Sequence, residues 1–230
     1  MEGVENLSPE ERGEALALME SERKRVRKMA MTMSNPTFAI TIFRSVHQQI
    51  DAVVESVVRN RPPGYFACRA GCSYCCKIRV SAFPAEVFGI ARSVEKFDTP
   101  CRKALMERLE THAALVHGAV ADDFSSQCPL LENDLCSVYE ARPQACRTHM
   151  SLDVEACKDE SVPTIPKDAM LSLKGAALTM GAKEGLSKYK QSNESAELGQ
   201  CVLATLKDKT LEQRWFKGAD VFAPFRGPDD

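Results

Sequence analysis

The chain has 230 residues, of which 44% are hydrophobic and 27% charged, and its 30 basic and 32 acidic side chains leave a formal net charge of −2. These values exclude a disordered chain, a collagen-like chain and a strongly basic nucleic-acid binder. Nine of the ten cysteines lie between Cys68 and Cys157, so chemistry or cross-linking is concentrated in the middle of the chain.

Two amphipathic helices are predicted at the start of the chain. The first begins with the segment SPEE at Ser8, which combines a capping box with proline in the first helical position. Pro36 interrupts the pattern, and apolar residues then recur at three- and four-residue intervals from Phe38 to Val57. The segment RPPG at 61–64 ends this second helix, so the region before it is predicted to be an N-terminal helical extension.

Helical patterns dominate the remainder of the chain. A short extended piece is predicted at 77–80, followed by helices at about 84–95, 99–118, 167–180, 194–206 and 210–217. No run of strands alternates with these helices, which argues against a parallel α/β sheet. The predicted fold is mainly α, a helical scaffold around a cysteine-rich, loop-dominated metal-binding core. Its predicted segments are the helical extension at 1–62, a cysteine-cluster domain at 63–160, C-terminal helices packing on the same core at 161–223, and a tail at 224–230.

The first cysteine box, CRAGCSYCC, places four thiols within nine residues, starting at Cys68. A short loop with Gly71 at its bend can fold back so that several sulfurs converge on one metal ion. Cys75 and Cys76 are adjacent, and successive side chains of an extended backbone point apart. This pair therefore indicates either two neighbouring centres, or one ligand and one accessory thiol.

Further thiols follow in a second block. Cys128 precedes Pro129, and Cys136 lies eight residues after Cys128, which is typical of a hairpin or knuckle carrying two ligands. Eight thiols would fill two four-coordinate sites, and soft sulfur prefers zinc or iron–sulfur clusters to magnesium or calcium. The candidate ligands are Cys68, Cys72, Cys75, Cys76, Cys128, Cys136, Cys146 and Cys157.

The N-terminal sequence predicts a cytoplasmic protein. It opens with the acidic, polar segment MEGVENLSPEERGE, which is unlike a secretory signal. The longest apolar stretches, such as FAITIF at 38–43, fall far short of the about 20 residues that cross a membrane. Cytosolic thiols are kept reduced, which favours metal ligands or catalytic thiols over disulfides.

Neither a nucleic acid nor a membrane is predicted as a partner. The basic residues at 23–28 stand late in the first helix, where pairs such as Glu20 with Lys24 indicate a solvated helix end. The predicted partners are metal ions, with a partner protein as a further candidate.

The cysteine boxes resemble a bacterial cysteine-cluster family often called YkgJ-like, which is described as a zinc- or iron-chelating domain. The CxxxCxxCC box, the segment CPLLENDLCSVYE and the segment RPQACR occur in the family's order, followed by Cys157. The resemblance covers Cys68 to Cys157 and implies that the eight cysteines are the metal ligands. A related domain occurs in flagellin lysine methylase, which associates the family with modification of protein lysines.

The first box also resembles the radical S-adenosylmethionine pattern, in which three cysteines hold a four-iron cluster and an aromatic residue precedes the third. Cys68, Cys72 and Cys75 fit that pattern, with Tyr74 before the third cysteine. The radical enzymes need a partial barrel of repeated strand–helix units, and the region after the box shows helices without intervening strands. Ligand spacing alone does not separate another iron–sulfur cluster from zinc.

Other cysteines and histidines have predicted roles outside this ligand set. Cys101 and Cys201 are predicted to be small buried apolar residues, and His112 to be a core or boundary residue on an apolar helix stripe. His149, three positions after Cys146, could supplement or replace a thiol ligand, because imidazole suits both zinc and iron.

The RPQACR segment carries two arginines with two open interpretations. Arg142 and Arg147 either donate hydrogen bonds to thiolates or stay at the surface, pairing with Glu140. Tyr139 is predicted to pack under the knuckle.

Three functional hypotheses follow from these observations. The favoured one is a cytosolic metal-binding protein that chelates zinc or iron, with zinc preferred and two centres expected. The second is an iron–sulfur protein with redox or lysine methylase-like activity, in which Cys76 is the candidate reactive thiol. The third is metal transfer or storage. A zinc site closed by four thiolates leaves no open position, so the first hypothesis predicts no catalytic activity.

Overall fold

A computed structural model describes residues 7–33, 37–118, 126–159, 162 and 164–227. Helices dominate these residues and every strand is two residues long, which confirms the predicted mainly α fold. The described helices are α1 (Pro9–Thr32), α2 (Phe38–Arg59), α3 (Pro84–Val94), α4 (Thr99–Gly118), α5 (Gln144–Thr148), α6 (Val154–Lys158), α7 (Ala169–Gly185), α8 (Leu198–Lys207) and α9 (Leu211–Phe216). The strands are β1 (Ser81–Ala82), β2 (Leu131–Glu132), β3 (Leu135–Cys136) and β4 (Ala196–Glu197).

The strands form two antiparallel pairs. β1 pairs with β4, which places Ser81 opposite Glu197. β2 and β3 form a hairpin with Leu131 opposite Cys136. The pairings are too short to build a sheet, so helix packing determines the architecture.

Contacts divide the chain into two compact units, each built from two stretches of sequence. The first unit comprises Met1–Arg69 and Gln144–Tyr189, and the second comprises Ala70–Pro143 and Lys190–Asp230. The boundary at residues 69 and 70 divides the first cysteine box. The segment boundaries expected from the sequence stay a prediction.

Close packing of α1 against α7 organises the first unit. A Cβ atom added at Gly181 would lie 2.4 Å from the backbone oxygen of Met19. At Gly185 the added atom would lie 2.8 Å from the side chain of Val26, which is fully buried. Because Cβ atoms do not approach other atoms so closely, glycine is what allows these helices their small separation.

A buried polar cluster joins α1 to α2 in the same unit. The Glu22 carboxylate is almost fully buried and accepts two hydrogen bonds of 2.6 Å from Arg25 and one of 3.0 Å from Gln49. Arg25 also donates to the hydroxyl of Ser45 on α2 at 2.8 Å. These partners offset the desolvation of the carboxylate, so the charge is tolerated inside the unit.

An aromatic cluster forms the core of the second unit. The ring of Phe88 on α3 lies 5.2 Å from that of Trp215 on α9 and 5.4 Å from that of Phe222. All three side chains are buried. The indole N–H of Trp215 donates to the backbone oxygen of Ser192 at 2.7 Å, which satisfies its only polar group.

A second buried contact in this unit joins α4 to the start of α8. His112 Nε2 lies 3.0 Å from the carboxylate of Glu197, which also accepts hydrogen bonds from the backbone N–H groups of Gly199 and Gln200. Burial of His112 is as predicted. A Cβ atom at Gly199 would lie 2.4 Å from the His112 ring, so glycine leaves room for the contact.

The long helices predicted from the sequence are confirmed. The capping box of Ser8 and Glu11 begins α1, and Glu20 and Lys24 form the predicted pair at 3.3 Å. None of the helices in the described ranges combines the length and the apolar character needed to span a membrane.

Two predicted elements lie at other positions in the structure than the sequence indicates, and two short helices were not predicted. The extended piece predicted at 77–80 is wrong only at its start: Lys77 ends a 3₁₀ turn, Ile78 has an extended backbone, and strand pairing begins at β1. The helix predicted from 194 starts only with α8, because the preceding residues form β4. Helices α5 and α6 have five residues each, too few for a periodic pattern. The break at Pro36 lies outside the described residues.

Gly181→Ala is expected to destabilise the first unit. The added methyl group would overlap the Met19 carbonyl and push α1 from α7, at a cost of about 1–3 kcal/mol, the usual range for overpacking. Urea unfolding followed by circular dichroism measures the change.

The matched control is Gly13→Ala. Gly13 lies in α1, and a Cβ atom there would have no neighbour within 4 Å. Alanine should therefore stabilise this variant by about 0.5–1 kcal/mol. Equal stability of the Gly181 and Gly13 variants would contradict the close approach of α1 and α7.

Candidate metal centre

The predicted ligands are divided between the two units. The first unit contains Cys68, Cys146 and Cys157. The second unit contains Cys72, Cys75, Cys76, Cys128 and Cys136. All ten cysteines lie in the described part of the chain, and none of them forms a disulfide.

Cys75 and Cys76 occupy a 3₁₀ turn that spans Tyr74–Lys77. With three residues per turn, successive side chains lie about 120° apart rather than on opposite faces. The two thiols form a hydrogen bond, which together with burial and the charge of Cys76 raises the pKa of Cys75 well above its usual value. The expectation that the adjacent thiols point apart is therefore wrong, because it assumed an extended backbone.

The predicted hairpin after Cys128 is confirmed. β3 contains Cys136 and pairs with β2, and the turn residues Asn133 and Asp134 have φ angles of 51° and 59°. Two successive residues in the left-handed region are typical of a type I′ turn, and asparagine and aspartate tolerate that region well. The hairpin therefore returns the chain so that Cys136 lies on a strand close to the Cys128 end.

Backbone hydrogen bonds hold the start of this hairpin against the first cysteine box. The N–H of Cys128 donates to the oxygen of Cys76 at 2.6 Å, and the N–H of Ser126 donates to the oxygen of Lys77 at 3.3 Å. Two segments that are far apart in sequence are thus aligned side by side at their cysteines.

A side-chain contact ties the other end of the hairpin to the same box. The hydroxyl of Ser73, next to Cys72, donates to the carboxylate of Asp134 at the hairpin turn, at 2.8 Å. Gly71 has a φ of 80°, so it provides the bend predicted for the box.

Electrostatic interactions connect three thiols of the second unit, Cys75, Cys128 and Cys136. Burial raises the pKa of Cys128 to about 11; a backbone hydrogen bond with Leu130 opposes the increase, and negative charge on Cys136, Glu197 and Cys75 adds to it. The thiol is therefore neutral at pH 7. Ionising these thiols together at pH 7 therefore costs free energy, which a bound cation would offset.

In the first unit, a backbone N–H group is directed at the sulfur of Cys68. Ser151 donates from its N–H to Cys68 Sγ at 3.2 Å, and the N–H of Ala67 donates to the oxygen of Ser151 at 2.9 Å. Hydrogen bonds to a charged group favour its charged form, so this donor stabilises a thiolate. Ser151 was not predicted, because a backbone donor leaves no signal in residue type.

The other two thiols of the first unit lie on short helices. Cys146 is exposed on α5. Cys157 lies on α6, where its thiol donates to the backbone oxygen of Asp153 at 3.3 Å. Helices of five residues have little stability of their own, so the positions of Cys146 and Cys157 depend on further contacts made by α5 and α6.

An ion pair anchors the segment that leads into Cys68. Asp168 at the N-terminus of α7 accepts hydrogen bonds from the N–H of Leu171, from Arg61 at 2.7 Å and from the hydroxyl of Tyr65 at 3.2 Å. Burial alone would raise the pKa of Asp168, but the bonds from Leu171 and Arg61 outweigh it and lower the pKa below its usual value. These bonds hold the chain segment that precedes Cys68 against the N-terminus of α7.

The two arginines of the RPQACR segment make different contacts. Arg147 is buried and donates to Asp51 on α2 at 2.5 Å. Arg142 lies 3.7 Å from the ring centroid of Tyr139 and donates to its backbone oxygen at 2.8 Å. Tyr139 is 57% exposed and its ring contacts Arg142, so its predicted packing under the knuckle is wrong.

The two cysteines outside the ligand set differ in exposure. Cys201 is fully buried in α8, as predicted. The predicted burial of Cys101 is wrong, because it lies in the solvent-exposed first turn of α4. Its backbone N–H donates to the Asp98 carboxylate at 2.8 Å.

Comparison with known proteins supports metal binding by the cysteine region. Residues 67–162 match the family described as "CxxCxxCC: Putative zinc- or iron-chelating domain". The match confirms the resemblance to the cysteine-cluster family, and its range contains all eight predicted ligands. No curated protein and no solved structure has a significant match to the chain.

The donors fit zinc or iron in their chemistry without forming a preassembled site. Within the described ranges, no three or more histidine, cysteine, aspartate or glutamate side chains are arranged to hold a metal ion. The thiols of Cys75 and Cys76 are nevertheless adjacent, and Cys68 receives the kind of N–H donor that thiolate ligands have. A metal ion would therefore complete sites whose sulfur atoms already lie beside another thiol or a backbone N–H donor.

Asp168→Asn tests the anchor beside Cys68. Asparagine retains the acceptor that caps α7 but loses the charge, so the free energy of unfolding at pH 7 should fall by about 1.5–3 kcal/mol. The pKa of folded Asp168 is lowered, so its stabilisation is present above the unfolded pKa of about 3.9 and is lost as the pH falls through the folded pKa. Urea unfolding between pH 3 and pH 7 should therefore show a shallower acid dependence for the variant.

Asp153→Asn is the control for this experiment. Asp153 caps α6 through the backbone N–H groups of Glu155 and Ala156, which asparagine can also accept. Its stability should change by less than about 0.5 kcal/mol. If Asp168→Asn behaves like this control, the anchor does not stabilise the first unit.

Proposed function

We propose that this chain is a metal-binding protein whose clustered cysteine thiolates hold zinc in two centres. The family match supports metal binding by residues 67–162. The division of the thiols between two compact units supports two separate centres. One centre would use thiols of the second unit, and the other would be built around Cys68 in the first.

The mutual interaction of four thiols in the second unit carries the proposal. Cys75 forms a hydrogen bond with Cys76, and charges on Cys75 and Cys136 act on Cys128. Removing the protons from these thiols leaves several negative charges in a partly buried region, which is unfavourable in the absence of a cation. A bound dication makes the thiolate form favourable, because it lowers the pKa of the coordinating thiols and compensates their negative charge.

The second unit contains five of the predicted ligands, one more than a tetrahedral zinc site can use. The interactions above connect Cys75, Cys76, Cys128 and Cys136. We therefore assign these four as ligands of the second-unit centre and Cys72 as an accessory thiol beside it.

Zinc in such a site has a structural role. Four protein ligands leave no coordination position for a substrate, so the free energy of binding contributes to folding. The cysteine segments of the second unit contain only a 3₁₀ turn and a hairpin with two-residue strands. Coordination bonds would supply the stability that elements of this size cannot provide.

The metal and acid-labile sulfide content of the full chain, produced and purified without oxygen, tests the proposal. We expect a colourless protein with about two zinc ions per chain, one for each four-coordinate site. A brown protein with visible thiolate-to-iron absorption and labile sulfide would overturn zinc in favour of an iron–sulfur protein with redox or lysine-modifying activity. Loss of metal to a mild chelator without unfolding would overturn the structural role in favour of metal transfer or storage.

Serine variants test the division into two centres. Cys128→Ser is expected to lose the zinc of the second unit alone, and Cys68→Ser the zinc of the first unit alone, as measured by metal content per chain. Cys101→Ser is the matched control, because Cys101 is an exposed cysteine of the second unit outside the ligand set. Full metal content in Cys128→Ser would contradict the assigned second-unit centre.

A reducing compartment such as the cytosol suits this function. Thiolates must stay reduced to bind zinc, and glutathione and thioredoxin maintain that state in the cytosol. In an oxidising compartment the neighbouring thiols Cys75 and Cys76 would be open to oxidation.

A further inference from the structure

The centre proposed for the first unit lacks a fourth ligand. Three of the predicted thiols belong to this unit, Cys68, Cys146 and Cys157. Structural zinc is almost always four-coordinate, and a set of three cysteines and one histidine is a common form. A fourth donor from the same unit is therefore expected.

His149 has an unsatisfied nitrogen atom in the same unit. Its Nε2 is shielded from solvent and finds no hydrogen-bond partner among the described residues. Leaving a buried polar atom without a partner costs about 1–3 kcal/mol, so such an atom in a folded protein calls for an explanation, of which a bound ion is one.

Along the chain, His149 lies between Cys146 and Ser151, the residue that contacts Cys68. Cys146 lies on α5, which ends at Thr148, directly before His149. Two residues further on, the N–H of Ser151 donates to the sulfur of Cys68. The bridge between Ser151 and Lys167 and the hydrogen bond from Ala67 hold this segment in place.

The imidazole is in the protonation state that a metal ligand requires. Burial lowers the pKa of His149 to about 4, and the positive charge of Lys167 acts in the same direction. At pH 7 the ring is therefore neutral, and one of its nitrogens has a free electron pair. Binding through Nε2 requires that the proton lies on Nδ1.

We propose that His149 binds, through Nε2, the metal ion held by Cys68, Cys146 and Cys157, which gives the first unit a centre with three thiolates and one imidazole. This proposal rests on the proposed function, because it requires that the cysteine region binds metal. It adds a ligand that is not a cysteine. With this ligand, the three thiols of the first unit suffice for a four-coordinate site.

Cobalt binding to the full-length chain tests the proposal, because cobalt(II) replaces zinc and its absorption depends on the number of thiolate ligands. His149→Gln removes the imidazole and should lower the affinity of the first-unit centre by more than about 100-fold, the upper range for loss of a group that only supports a ligand. His149→Cys should keep the metal and increase thiolate-to-cobalt charge-transfer absorption, since it adds a fourth thiolate. This variant also keeps the test decisive if the glutamine variant does not fold.

The matched control is His47→Gln. His47 is a buried histidine of the first unit, on α2 and outside the matched residues 67–162. This variant removes a buried imidazole without removing a proposed ligand. Its cobalt content and spectrum should equal those of the wild type, whatever its loss of stability.

Nitrogen-15 NMR of histidine side chains provides a readout that is independent of mutation. Zinc loading of the wild type should shift the Nε2 resonance of His149 and leave the proton on Nδ1. An unchanged resonance, together with a thiolate-cobalt spectrum that is the same in the wild type and in both His149 variants, would overturn the proposal for His149 alone. If the wild type binds no metal, the proposed function fails, and the His149 proposal fails with it.

Discussion

Neighbouring thiols cannot become thiolates together unless a cation balances their charge. In this protein the interaction with Cys76 raises the pKa of Cys75 and burial raises the pKa of Cys128, so both of these thiols favour their neutral form. Metal binding is therefore coupled to the release of protons, and affinity increases with pH. In the proposed centres the metal would supply both the charge balance and bonds between segments, so the loop-dominated part of the chain would depend on it more than the helices do.

The helices form frames that are stabilised by their own contacts. In the first unit, Gly181 lets α7 approach α1, and the pair of Glu22 with Arg25 extends the contact to α2. In the second unit, the cluster of Phe88 and Trp215 packs α3 against α9. The predicted ligands lie on loops and short elements, so in the proposed centres a metal ion would order the cysteine segments without disturbing the two cores.

Sequence patterns predicted long elements well and the surroundings of single side chains poorly. Helices α1 and α2 have caps or regular apolar spacing, and both signals are local. Cys101 and Tyr139 were expected to be buried because of their residue types. Both are exposed: Cys101 lies in the first turn of α4, and the ring of Tyr139 contacts the side chain of Arg142. Exposure depends on which elements pack nearby, and no local pattern records that.

The sequence by itself determined the kind of chemistry, because donor type is a property of single residues and the cysteine boxes are short. Soft thiols in two blocks indicated zinc or iron before any contact was known. Only the tertiary structure decided which groups meet. Ser151 donates to Cys68 across 83 positions, and Cys128 is aligned with Cys76 by a backbone hydrogen bond. Such contacts join segments that are distant in the chain, so they depend on how the whole unit packs.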